Sequence, residues 1–359
     1  MAFEINNEPC HASSPEQTED YINGMLDALA GTGNLKPVFY NVSHNMEHVG
    51  AYYNTGIDGT TYQWYPIGLV SGYTRKGNFL PYVDSYDIPF SNIPGFDSKA
   101  KAVYEFDPAD IMYSYMYPAM ARTFRSAGFQ WITQFAYDPM DMSAWNTEYQ
   151  THYLNLAYTP GKAVSMKIAA EAAYSIPLHE EFAAYPADTL FGDFRVSYRD
   201  DLSEMNTVKK FFYSNTTSTV PLDARGLESV AGCGSSPVVR YGGTGAYFLD
   251  RVDDGVWRLE VMPDAVCVSD SFAKPSFEKQ AVAVKWNEWP VWINIPDLGE
   301  KFGIKGLNES NSFAATAAEG SFNVKPGVYL LTRRGVSGKK YGPATRFGNI
   351  ALGEYAAPA

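Results

Sequence analysis

The sequence predicts a mixed α/β unit followed by an all-β unit. Over residues 1–180, short apolar segments rich in β-branched and aromatic residues alternate with stretches of helical apolar spacing, the signature of βα units on a parallel sheet. From about residue 191 the pattern changes to short alternating segments separated by turns, with no helical period, which predicts an antiparallel β-sandwich. The composition, 45% hydrophobic and 19% charged, suits a chain that buries a core, and no apolar run approaches the ~18 residues of a membrane-spanning helix.

The elements follow in order. Residues 3–7 form the first strand. Ser14-Pro15-Glu16 then supplies an N-cap and a proline at the first helical position, Tyr21, Ile22, Met25, Leu26 and Leu29 recur at helical spacing, and Gly31 or Gly33 ends the helix. Residues 37–42 make a second strand, followed by a short helical stretch over 46–53, and residues 60–65 make a third. A Gly- and Pro-punctuated excursion over 66–97 is long enough to suggest a functional loop. After a fourth strand over 102–106, a helix over 108–127, kinked at Pro118, ends at Gly128. A fifth strand over 129–135 precedes an Ala-rich helix over 161–175.

Five strands do not close a barrel, but they match the last five units of a (β/α)8 TIM barrel, strands four to eight. The expected organisation is a truncated barrel over 1–180, a β-sandwich over 181–335, and a linker or the start of a further domain over 336–359, with the missing N-terminal barrel half upstream. In the β region, Asp253-Asp254-Gly255 is a hairpin turn signal. Trp286, Trp289 and Trp292, spaced by three, cannot all share one strand face and are expected to pack against the barrel.

The formal charge of −12, spread without long runs, argues against nucleic acid, which needs clustered Lys and Arg. The 15% aromatic content suits sugar binding and also suits a large core. Cys10, Cys233 and Cys267 are too few and scattered for a disulfide scaffold or a short-spaced zinc site. His44, Glu47 and His48 read as a solvated helix face rather than a metal site, and no cofactor is expected. The chain has no phosphate-binding Gly loop, Gly-x-Ser-x-Gly elbow or Cys-x-x-Cys.

The sharpest motif is Ile5-Asn6-Asn7-Glu8-Pro9, which places a carboxylic acid where the first strand ends, at the face of a βα barrel that carries chemistry. Glu105, in Val103-Tyr104-Glu105-Phe106-Asp107, stands at the end of the strand three βα units later. Two strand-end carboxyls ~5–5.5 Å apart can cleave a glycosidic bond with retention, one as acid/base and one as nucleophile. Asp107, before Pro108, reads as a helix cap, and Glu4 as a structural charge.

Asn7-Glu8-Pro9 and Glu105, at this separation, resemble glycoside hydrolase clan A, retaining (β/α)8-barrel glycosidases, and the chain resembles parts of secreted, polysaccharide-degrading enzymes of the Bacteroidetes type. The resemblance spans about residues 3–175 and implies that Glu8 is the acid/base and Glu105 the nucleophile. It further implies that Asn7 binds substrate, that Tyr62 or Tyr65 hydrogen-bonds the nucleophile, that Trp131 is a sugar platform, and that Trp64 and Tyr40 wall subsites. The implied protein is a secreted, periplasmic or cell-surface retaining glycosidase acting on a poly- or oligosaccharide. The competing expectation is a non-catalytic glycan-binding surface protein with a degenerate barrel.

Overall fold

The computed structural model describes residues 2–11, 14–42 and 46–358. It is mixed α/β, with many strands and few helices, and combines one parallel half-barrel sheet with antiparallel sheets. The parallel sheet holds β1 (Phe3–Glu4), β2 (Val38–Val42), β3 (Gly59–Trp64), β4 (Ala100–Phe106) and β5 (Trp131–Ile132). They pair in chain order, every pair parallel. Consecutive order is what a barrel segment requires, whereas a doubly wound sheet reverses direction at a switch point.

Helix α1 (Pro15–Gly31) starts where the sequence places it, with a capping box between Ser14 and Gln17. The short α2 (Val49–Tyr53) follows β2. Helix α3 (Met116–Ser126) is shorter than predicted. Pro118 falls in its first turn, where the missing N–H has no intrahelical partner to lose, so proline begins this helix instead of bending it. Helix α4 (Pro160–Ser175) matches expectation to within one residue.

Further along come β6 (Leu190–Phe191), β7 (Phe194–Ser197), β8 (Leu202–Asn206), β9 (Lys210–Tyr213) and β10 (Ser229–Gly232). Next are β11 (Val239–Tyr241), β12 (Tyr247–Asp253), β13 (Val256–Val261), β14 (Asp264–Cys267) and β15 (Val282–Lys285). Then come β16 (Trp289–Ile293), β17 (Phe302–Gly306), β18 (Ala314–Thr316), β19 (Ser321–Val324) and β20 (Gly327–Arg333). Ten strands form one sheet in the order β18-β17-β20-β13-β12-β10-β9-β8-β7-β6, antiparallel except for the parallel β9–β10 pair. A smaller sheet, β11-β16-β19, closes a hydrophobic core with it through Tyr241, Val291 and Ile293 against Leu249, Trp257 and Leu259.

The other face of the large sheet is also buried. Val196, Met205, Phe212 and Ala231 join Phe124, Val164, Ile168 and the outer face of the parallel sheet in a single core. The two parts of the chain therefore share their main apolar contact layer. Nor are residues 341–355 a free linker. Tyr341 and Leu352 are buried in a small third core, and Arg258 donates to the Leu352 and Glu354 carbonyls, tying the segment to β13.

The Trp triplet differs from expectation too. Trp289 donates its indole N–H to Asp264, and Trp292 lies under the Arg240 guanidinium, so these rings serve the β region itself.

Candidate active site

Side chains alternate along a strand, and parallel strands in register present partner residues on the same face. On β2, Phe39 and Asn41 face the concave side of the half-barrel, in register with Gly59 and Thr61 of β3. Thr61 is in turn in register with Ala102, and Ala102 with Trp131. The remaining residues, including Tyr40, Tyr62 and Trp64, fall on the helix side.

The structure thereby moves three expected substrate contacts out of the site. Tyr40 is buried, with its hydroxyl 2.6 Å from His11 Nε2 and its ring 4.7 Å from that of Tyr52. Tyr62 is buried among Tyr53, Tyr86, Phe90 and Phe129. Trp64 packs edge-on against Tyr86 and Phe124, both at 5.1 Å. The reason is the period of two: with Asn41, Thr61 and Gln63 on the concave side, these aromatic neighbours must point to the helices.

Strict alternation would also set Tyr104 and Glu105 on opposite faces. The β3–β4 register slips at this point, however, pairing Tyr62 with Val103 and then Gln63 with Glu105, so that Tyr104 is an extra residue. Such a bulge re-aims the residues that follow it. Tyr104 and Glu105 consequently both serve the concave mouth. The Tyr104 hydroxyl lies 3.4 Å from Gln63 Oε1 and 3.5 Å from Glu8 Oε1.

That last contact is informative about shape. β1 and β4 are separated by two strands, ~14 Å in a flat sheet at the usual spacing, so a tyrosine of β4 reaches a residue after β1 only because the sheet curls. The curl brings the Tyr104 hydroxyl, next to Glu105 in the chain, within 3.5 Å of Glu8. Glu8 adopts a left-handed backbone, φ 46°, uncommon for a residue with a side chain, and its N–H donates to Asn41 Oδ1 at 3.0 Å. Asn41 is held by its own amide, which donates to Thr61 Oγ1 at 3.0 Å. Asn7 is exposed at the rim.

Glu105 receives a hydrogen bond on Oε1 from the Tyr65 hydroxyl at 2.8 Å. Tyr65, and not Tyr62, therefore fills the role of hydrogen-bonding the candidate nucleophile. Burial, the hydrogen bond to Glu105 and the charges of Glu105 and Asp107 together drive the Tyr65 phenol well above its ordinary range, so it remains a donor. Burial and the charges of Glu105, Glu8 and Glu4 do the same for Tyr104. Three carboxylates thus surround one phenol.

The third of them, Glu4, carries no signal in the sequence beyond that of a structural charge. It hydrogen-bonds Thr61 on the concave face, and crowding by the sheet lifts its carboxyl above the ordinary range, opposed by Thr61 and Asn41 and reinforced by Glu105. Glu4, Thr61, Tyr104, Thr133 and Trp131 line a cavity of 470 Å³. Trp131 is 65% exposed there, but in register with Ala102, so it lies deeper along the strands than the Gln63–Glu105 level.

Asp107 is not a helix cap. It is fully buried and accepts from Tyr117 at 2.8 Å and Gln134 at 3.3 Å, with its other oxygen 3.0 Å from His152 Nδ1. His48 Nδ1 is 2.8 Å from Thr18 Oγ1, whereas His44 lies outside the described residues. Among the described residues no group of three or more His, Cys, Asp or Glu side chains could hold a metal ion.

Neither known protein families, nor characterised proteins, nor solved structures gave a match to this chain. Any functional reading therefore stands on the site's own geometry. No helix among the described residues is long and apolar enough to cross a membrane.

Proposed function

We propose that this chain carries the catalytic pair of a retaining glycoside hydrolase acting on a poly- or oligosaccharide. The observation that carries the proposal is that Tyr104, the neighbour of Glu105 on β4, has its hydroxyl 3.5 Å from Oε1 of Glu8, in the segment after β1, and feels the charge of both glutamates. In this reading the parallel strands are units four to eight of a (β/α)8 barrel with a β-sandwich behind it.

The two glutamates differ in a way that suits two roles. Glu105 takes a phenolic hydrogen bond from Tyr65 on Oε1, which fixes that oxygen. It forms the bond to the anomeric carbon as the glycosidic bond breaks. Glu8, held by a strained backbone, gives its proton to the departing oxygen, then takes one from the water that releases the sugar from Glu105. Trp131 offers an exposed ring on the same concave face for the apolar side of a pyranose.

Replacing Glu105 with Gln is expected to reduce turnover of aryl glycosides by a factor on the order of 10²–10⁴ or more. Replacing Glu8 with Ala is expected to spare substrates whose leaving group needs no proton. Full activity in both variants would refute the assignment, and sugar binding without turnover, unaffected by either change, would point to a glycan-binding protein instead.

A further inference from the structure

We propose that Asp107 and His152 form a positioning pair for Glu105, acting through Tyr65. The inference extends the role given to Glu105 above, although its structural part stands without it. Asp107 follows Glu105 by two residues on the exit of β4, and His152 comes from the loop between β5 and α4. The Asp107 oxygens are committed: one to Tyr117 and Gln134, the other to His152 Nδ1 at 3.0 Å. A carboxylate that only accepts requires the proton on Nδ1, which fixes the ring's tautomer and plane.

The plane matters because of what rests on it. The His152 ring lies 5.2 Å from Tyr65, 5.0 Å from Phe135 and 5.2 Å from Tyr149, a wedge among three aromatic rings. Tyr65 is the ring whose hydroxyl holds Glu105 Oε1. The direction of that hydroxyl follows from the ring's tilt, and the tilt is set against His152.

A purely structural wedge would be satisfied by phenylalanine. His152 is instead 1% exposed with Nε2 buried and without a hydrogen-bond partner among the described residues, a destabilising arrangement that calls for a reason. Holding its ring through Asp107 supplies one. Among the described residues, Tyr65 and Glu4 are among the groups that act on Glu105, and Asp107, Tyr65, Phe135 and Tyr149 are among those that face His152.

The test is the titration of Glu105 itself, read by NMR of the full chain labelled with ¹³C at glutamate Cδ, its signal assigned by loss in Glu105→Gln. Removing the donor in Tyr65→Phe is expected to raise the Glu105 midpoint by about half to one pH unit, the worth of one hydrogen bond to the charged form. His152→Phe, which keeps a ring but loses the bond to Asp107, is expected to move it in the same direction by at least half as much. On aryl glycosides the same variants should lower kcat severalfold with KM changed less than twofold, and shift the acid limb upward. A midpoint moved by Tyr65→Phe but not by His152→Phe overturns the pair, as does one that Tyr65→Phe leaves in place. Because the titration needs no turnover, shifts without any glycosidase activity would sink only the functional reading, and activity without shifts only the pair.

Discussion

Asp138, on the loop that leaves β5, shows how the interior bears on single side chains. It is buried, takes the Leu154 N–H on one oxygen at 2.9 Å, and leaves the other without a hydrogen bond among the described residues. Burial pushes its carboxyl up to about 7, with the Leu154 N–H and Lys162 opposing and Asp107 and Glu148 adding to the rise. The folded state thus holds a proton that the unfolded chain releases near pH 4, and stability from this group falls as pH rises toward about 7. Asp138→Asn is expected to remove that dependence, so the stability of wild type relative to the variant should decline between about pH 4 and 7; a difference constant with pH would contradict it. Glu8 and Glu105 stand out in the sequence because each lies at or just after the end of an apolar strand segment, the position from which a side chain reaches a barrel mouth. Tyr104, Asn41 and His152 are not, since their roles depend on a bulge, a register and a fold-back that no local pattern encodes.

Elements show the same division between local and distant causes. Helix α1 is readable to its cap because Ser14, Pro15 and Gln17 are neighbours in sequence. At α3, Pro118 looks like an interruption in the sequence, and only the packing of residues 108–115 decides that the helix begins there. The parallel sheet depends on one close approach that sequence shows only as a glycine. A Cβ on Gly59 would sit 2.5 Å from the Ala100 carbonyl oxygen and overlap the Phe39 ring. Gly59→Ala is expected to cost about 1–3 kcal/mol in urea unfolding, as overpacking does, and to loosen the β2–β3–β4 pairing beneath the glutamates. An unchanged midpoint would show that the sheet yields at this point.

For the whole molecule, the sequence marks the change of pattern near residue 191 but not that both halves share a core. Alternation along a strand says which residues face inward, never which partner they meet. Phe212, on β9, is buried in the layer that also holds Phe124 and Ile168. Phe212→Ala should therefore cost ~3–5 kcal/mol and lower the unfolding of the α/β part and the β part together, in one transition seen alike by tryptophan fluorescence and circular dichroism. Separate transitions would mean the parts fold independently. Together, the curled sheet and the bulge at Tyr104 carry the Tyr104 hydroxyl to Glu8, and covalent chemistry at Glu105 is the proposal on which the account rests. The most direct measurement is peptide mass mapping after treatment with activated 2-fluoro glycosides of the common pyranoses. The account predicts a glycosyl adduct on the peptide containing Glu105, absent in Glu105→Gln; an adduct on another residue, or one that persists in Glu105→Gln, would contradict it.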